Sequence, residues 1–71
     1  MNNANSYIAL IELSRLAENA FHAYGNAKKH ENDRPELSQE HLKNVIATLK
    51  TLRVALSYAG GCINSELKGG E

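Results

Sequence analysis

Apolar residues recur along most of the chain at alternating intervals of three and four, the mark of one helix face and not of a strand's alternation. In the first half the set is Leu10, Leu13, Ala17, Ala20, Tyr24 and Ala27. Glu12, Arg15, Asn19, His22, Asn26 and Lys29 make a polar stripe opposite. This pattern predicts a first helix from about Ser6 to His30, with Asn5 or Ser6 accepting a free backbone N–H at its start. Lys28, Lys29 and His30 fall where cations favour the negative end of the helix dipole. Gly25 interrupts the pattern at a cost of about 1 kcal/mol relative to alanine, which is accepted if it lets another backbone approach.

The second half carries the stronger signal: Leu42, Val45, Leu49, Leu52, Leu56, Ala59 and Ile63 form an unbroken heptad stripe. It predicts a helix over about 38–67, with Ser38 as N-cap and Glu40 in the first turn. Leu37 and Leu42 are placed to staple the helix entry. Gly60-Gly61 offers a possible stop, but Ile63 and Leu67 continue the stripe beyond it, and the reading adopted runs the helix through the glycines. Between the helices lies a polar, turn-forming hinge over 31–37 that contains Pro35. Long helices on a short hinge pack as antiparallel neighbours. The expected fold is therefore all-α: a two-helix antiparallel hairpin forming one domain over 1–71.

The apolar residues left off these stripes point to a partner. Tyr7-Ile8-Ala9-Leu10-Ile11 is apolar at five successive positions, which covers every side of a helix turning about 100° per residue. Ile8, Ile11, Leu16, Phe21 and Ile46 flank or lie off the two seams, and a lone hairpin would expose them together. Each large apolar side chain buried contributes about 1.5–3 kcal/mol, so these five are the expected interface of a homodimer that closes into a four-helix bundle. A second face of helix two carries no charge. Thr51, Val54, Tyr58 and Cys62, joined by Tyr7 from the start of helix one, are the expected site for a different protein, because interface centres are depleted of charge and enriched in tyrosine.

Size strengthens the case for assembly. A chain of 71 residues stands near the limit at which one core offsets chain entropy, and such chains use disulfides, metals, oligomerisation or very good helix packing. Cys62 is the only cysteine, so no internal disulfide forms, and a lone thiol suits a reducing compartment. No run of 18 apolar residues is present and the first residues lack the basic start of a signal peptide, so the expected location is the cytoplasm, with no membrane partner.

Candidate chemistry adds little. Eight basic residues balance eight acidic ones, which removes the simple electrostatic case for nucleic acid. Lys43, Lys50 and Arg53 nevertheless outnumber Glu40 between Leu37 and Ala59, and form the candidate surface for a nucleic-acid-binding alternative. The histidines and Cys62 show no H-x3-H or C-x2-C spacing; His30, Asp33, Glu36 and His41 gather near the hinge but read as solvated residues, and no metal or other cofactor is expected. Cys62 has no histidine near it in sequence, and a two-helix chain offers no deep cleft, so the chain is not expected to be an enzyme. The glycines of "AGGC" lack the phosphate-loop pattern. The expectation is a small non-catalytic interaction module: a dimeric accessory regulator or adaptor, of the kind phages and other mobile elements carry, acting by binding another protein.

Overall fold

Two helices account for the structure, a computed structural model that describes residues 4–69: α1 (Ala4–Lys29) and α2 (Pro35–Gly69), folded back on each other. The hinge is residues 30–34, shorter than the expected 31–37, because α2 starts three residues before Ser38. Pro35 suits the first helical position, where its missing N–H costs nothing and its fixed φ is already helical. The first α2 bond is then donated by the Ser38 N–H to the Arg34 carbonyl at 3.0 Å. Three further bonds close the hinge: His30 N–H to the Ala27 carbonyl (3.2 Å), Glu31 N–H to that of Lys28 (3.4 Å) and Arg34 N–H to that of His30 (2.9 Å). These satisfy carbonyls that the end of α1 would leave orphaned.

Ser38 is therefore not an N-cap. Its hydroxyl donates to the Ala27 carbonyl across the hairpin at 2.7 Å, in a buried position. Ser6 likewise lies buried inside α1, not at its cap. At the far end α2 runs unbroken through Gly60-Gly61, as the continuous stripe predicts. Among the described residues no glycine has positive φ, so neither acts as a left-handed helix stop.

The seam between the helices differs from the expected one by half its width. On α1 the buried or half-buried positions are Ser6, Ala9, Glu12, Leu13, Leu16, Ala20, Ala23 and Ala27, followed by His30 in the hinge; on α2 they are Leu37, Ser38, His41, Val45, Thr48, Leu52, Ala55, Ala59, Cys62 and Glu66. Leu13, Ala20, Ala27, Val45, Leu52 and Ala59 belong to both versions. Leu10, Ala17 and Tyr24 on α1, with Leu42, Leu49, Leu56 and Ile63 on α2, were expected inside and are exposed. Leu16, expected off the seam, lies in it.

The physical reason is side-chain size. Each apolar arc is three heptad positions wide, and the hairpin buries its small-residue edge. Among the described residues Ala9, Ala20, Ala27 and Ala59 are the buried apolar ones, and small side chains let helix axes approach closely. The larger residues on the other edge are left facing outward. Across its long axis the Cα trace measures only 14 × 11 Å, against a length of 57 Å.

Candidate functional site

Leu42, Leu49, Leu56 and Ile63 stand seven residues apart on α2, and Leu10, Ala17 and Tyr24 stand seven apart on α1. A seven-residue step returns to nearly the same side of a helix, so each set forms a straight line beside the seam. The two lines lie on the same side of the hairpin: Leu10 lines one open groove with Leu56, Ile63 and Leu67 and a second with Ile63 and Glu66. This leucine face is continuous and uncovered. Leu42 is 37% exposed, Leu49 47% and Leu56 61%, high values for leucines in a heptad stripe. The larger groove, about 650 Å³, has a floor of Leu13, Ala59 and Gly60. A Cβ placed on Gly60 would meet nothing within 4 Å.

The five residues expected at a dimer interface do not form one patch. Leu16 belongs to the seam. Phe21 and Ile46 stand at the borders of the leucine face, one on each helix, and both are exposed. Ile11 lies on the outer side of α1, in a groove bounded by α1 residues only. Ile8 falls on the heptad line of Arg15, His22 and Lys29, away from the leucines. The heptad pattern alone places the residues of this face in the core. Their signal was present in the sequence as the regular seven-residue step of large side chains.

On the opposite side of the hairpin, Thr51, Val54 and Tyr58 are brought together in an open groove of about 580 Å³, with Glu12, Leu16, Lys50 and Ala55. The Thr51 hydroxyl is turned back onto its own helix, donating to the Ala47 carbonyl at 3.3 Å. Cys62, a half-buried free thiol, lies one turn beyond Tyr58. Hydrogen bonding to Cys62, and then the charge of its thiolate, hold the Tyr58 phenol above its ordinary value of 10.0. Tyr7 is not part of this groove; it borders the leucine face beside Ser6, Leu10 and Ile63.

Lys43, Lys50 and Arg53 are all exposed. Lys43 and Lys50 share one heptad line on the back of α2, and Arg53 lies on the line of Ile46, beside the leucine face. Between Glu40 and Glu66 the helix carries these three cations and no acidic residue.

At the hinge the rings of His30 and His41 stack at 6.4 Å between centroids, and His30 Nδ1 is 3.5 Å from Asp33 Oδ1 without a hydrogen bond. Among the described residues no three His, Cys, Asp or Glu side chains converge on a common point. Lys28 extends over the Tyr24 ring, 5.9 Å from its centroid, and donates to Glu31 at 3.1 Å. That bond, followed by the charge of Glu31, raises the Lys28 pKa above 10.5. No described helix is long and apolar enough to cross a membrane.

Comparison of the chain with models of known protein families, with curated proteins and with solved structures finds no match.

Proposed function

We propose that the chain is a non-catalytic protein-interaction module that pairs with a second copy to form a four-helix bundle and binds another protein through surface left free by pairing. The supporting observation is the uncovered leucine face. A folded monomer of 7.8 kDa exposes about 4,400 Å², whereas the hairpin exposes 5535 Å². That excess is comparable to the roughly 800 Å² per partner buried in a standard interface. Soluble monomers rarely leave so long an apolar strip open.

The groove of Thr51, Val54 and Tyr58 lies on the far side of the seam and stays accessible when the leucine face is covered. It has an apolar floor, a tyrosine and one charge of each sign at its edge, Glu12 and Lys50, which suits a protein segment with an apolar anchor. The module acts there as an adaptor or accessory regulator, by occupying the partner's surface.

Light scattering tests the first half, with a dimer mass expected for the native chain and for Tyr58→Ala. Capture of a defined protein by the tagged chain, lost in Tyr58→Ala while the dimer persists, tests the second. A monomeric mass at micromolar concentration overturns the reading.

The acid-free run of α2 supports a second reading, a nucleic-acid-binding regulator that uses Lys43, Lys50 and Arg53. Its signature is binding that weakens steeply with salt and disappears in Lys50→Glu/Arg53→Glu.

A further inference from the structure

The leucine face also carries information about how two copies meet. Resting on the self-association proposed above, we infer that the occupant of the face is a second copy laid with its α1 over the first copy's α2, so that both hinges lie at the same end of the bundle.

A two-fold axis in the interface plane can run along the hairpin or across it. Along it, each α1 covers the partner's α2 and hinge meets hinge. Across it, α1 covers α1, α2 covers α2, and the hinges stand at opposite ends. Both give bundles in which neighbouring helices are antiparallel, so the choice rests on which side chains are brought together.

Charge separates the two. Between Glu40 and Glu66, α2 carries only Lys43, Lys50 and Arg53. Arg53 is the one of the three beside the leucine face, on the line of Ile46, and laying α2 on α2 brings it towards the partner's Arg53 between two basic helices. Between Tyr7 and Lys28, α1 carries Glu12 and Glu18 against Arg15. Laying α1 on α2 therefore sets a weakly acidic helix beside a basic one. Like charges held in register across helices are disfavoured, and opposite charges at such flanking positions set orientation.

Side-chain size points the same way. The shared grooves fix the axial register within one copy: Leu16 lies between Thr51 and Ala55, and Leu10 between Leu56 and Ile63. Continuing this register puts Phe21 level with the turn that carries Ile46, and Tyr7 level with Gly60-Gly61. An axis along the hairpin preserves every level. The exposed Phe21 then meets the partner's Ile46, both bordering the leucine face. Tyr7, also exposed, meets the partner's Gly60, where nothing occupies the space a Cβ would fill. Ala17, the small residue in the α1 line, falls opposite the partner's Leu49 and Leu56.

The experiment places one nitroxide label on the exposed hinge residue Asn32, as Asn32→Cys in a Cys62→Ser background, and reads the distance between labels in the dimer by pulsed electron paramagnetic resonance. Neighbouring helix axes are about 8–10 Å apart, so hinges at one end give a separation below about 30 Å. With a molecule 57 Å long, hinges at opposite ends give a separation above about 45 Å. A short distance supports the inference, and a long one overturns it.

A second measurement uses exposed residues alone. Phe21→Lys should weaken the dimer at least about tenfold, since the contact with the partner's Ile46 occurs twice by symmetry, and adding Ile46→Glu should restore much of it. Absence of restoration overturns the arrangement while leaving the dimer intact. A monomeric mass for the unlabelled native chain overturns the self-association itself, so the two failures are distinguishable.

Discussion

The Ser38 hydroxyl donates to the backbone carbonyl of Ala27 at 2.7 Å, eleven residues away in sequence and on the other helix. Ala27 is completely buried, and its carbonyl also accepts the His30 N–H that begins the hinge. One acceptor thus holds both the end of α1 and the start of α2. Ser38→Ala removes a buried hydrogen bond but leaves the carbonyl with one partner, so the cost is expected at about 1 kcal/mol. In a domain of this size that lowers Tm by roughly 4–8 °C. Gln39→Ala, at the exposed neighbouring position, is expected to change Tm by less than a third of that, and equal effects from the two would contradict the role given to Ser38.

Gly25 and Gly61 lie within helices, and a Cβ on either meets nothing within 4 Å. Close approach of the two helices therefore does not explain them. Gly25→Ala and Gly61→Ala are each expected to stabilise the fold by about 0.5–1 kcal/mol through loss of unfolded-chain entropy. Thermal unfolding followed by circular dichroism reads this directly. A fall in Tm for Gly61→Ala would show that some further surface packs against that turn.

The helices and their antiparallel arrangement were legible because heptad spacing, a polar hinge and the single proline all act locally. The seam was legible only in part. Leu42, Val45, Leu49, Leu52, Leu56, Ala59 and Ile63 trace the middle of an apolar arc, and periodicity locates that middle well. It does not say which edge the neighbouring helix takes. The close approach allowed by Ala9, Ala20, Ala27 and Ala59 decided that, a property of side-chain volume across two helices. Ser38 escaped for a related reason: a serine beside a helix start looks like a cap until the partner carbonyl of Ala27 is in place. The leucine face was visible as a line of large side chains, but a line that reads as core becomes a surface only once the seam is known.

Two groups give the fold a dependence on alkaline pH. Lys28 is raised above 10.5 by Glu31, and Tyr58 above 10.0 by Cys62. A group whose pKa is raised on folding contributes stability that is complete below its unfolded value and is lost as pH rises through the folded one. Both contributions are therefore complete at neutral pH and are lost as pH rises beyond the ordinary values of 10.0 for Tyr58 and 10.5 for Lys28. Glu31→Gln should flatten part of that decline. Cys62→Ala should return the Tyr58 phenol towards its ordinary value, seen as loss of the late step in phenolate absorbance. An unchanged late step would place its origin elsewhere.

Leu16 and Leu56 report on assembly through the contrast between them. Leu16 is half-buried in the seam of one hairpin, whereas Leu56 is 61% exposed. If the hairpin works alone, Leu16→Ala costs about 2–5 kcal/mol as a core truncation does, and Leu56→Ala stays within about 0.5 kcal/mol as a surface change does. If the leucine face is covered by a second copy, Leu56 also belongs to a core and the cost of Leu56→Ala rises into the same range. The expected outcome is the second. Tm of the native chain should also rise with protein concentration, as mass action requires of a folded dimer, and Leu56→Asp should abolish that rise. Unfolding of Leu56→Ala indistinguishable from the native chain, with a Tm independent of concentration, would mean that the face stays open in solution.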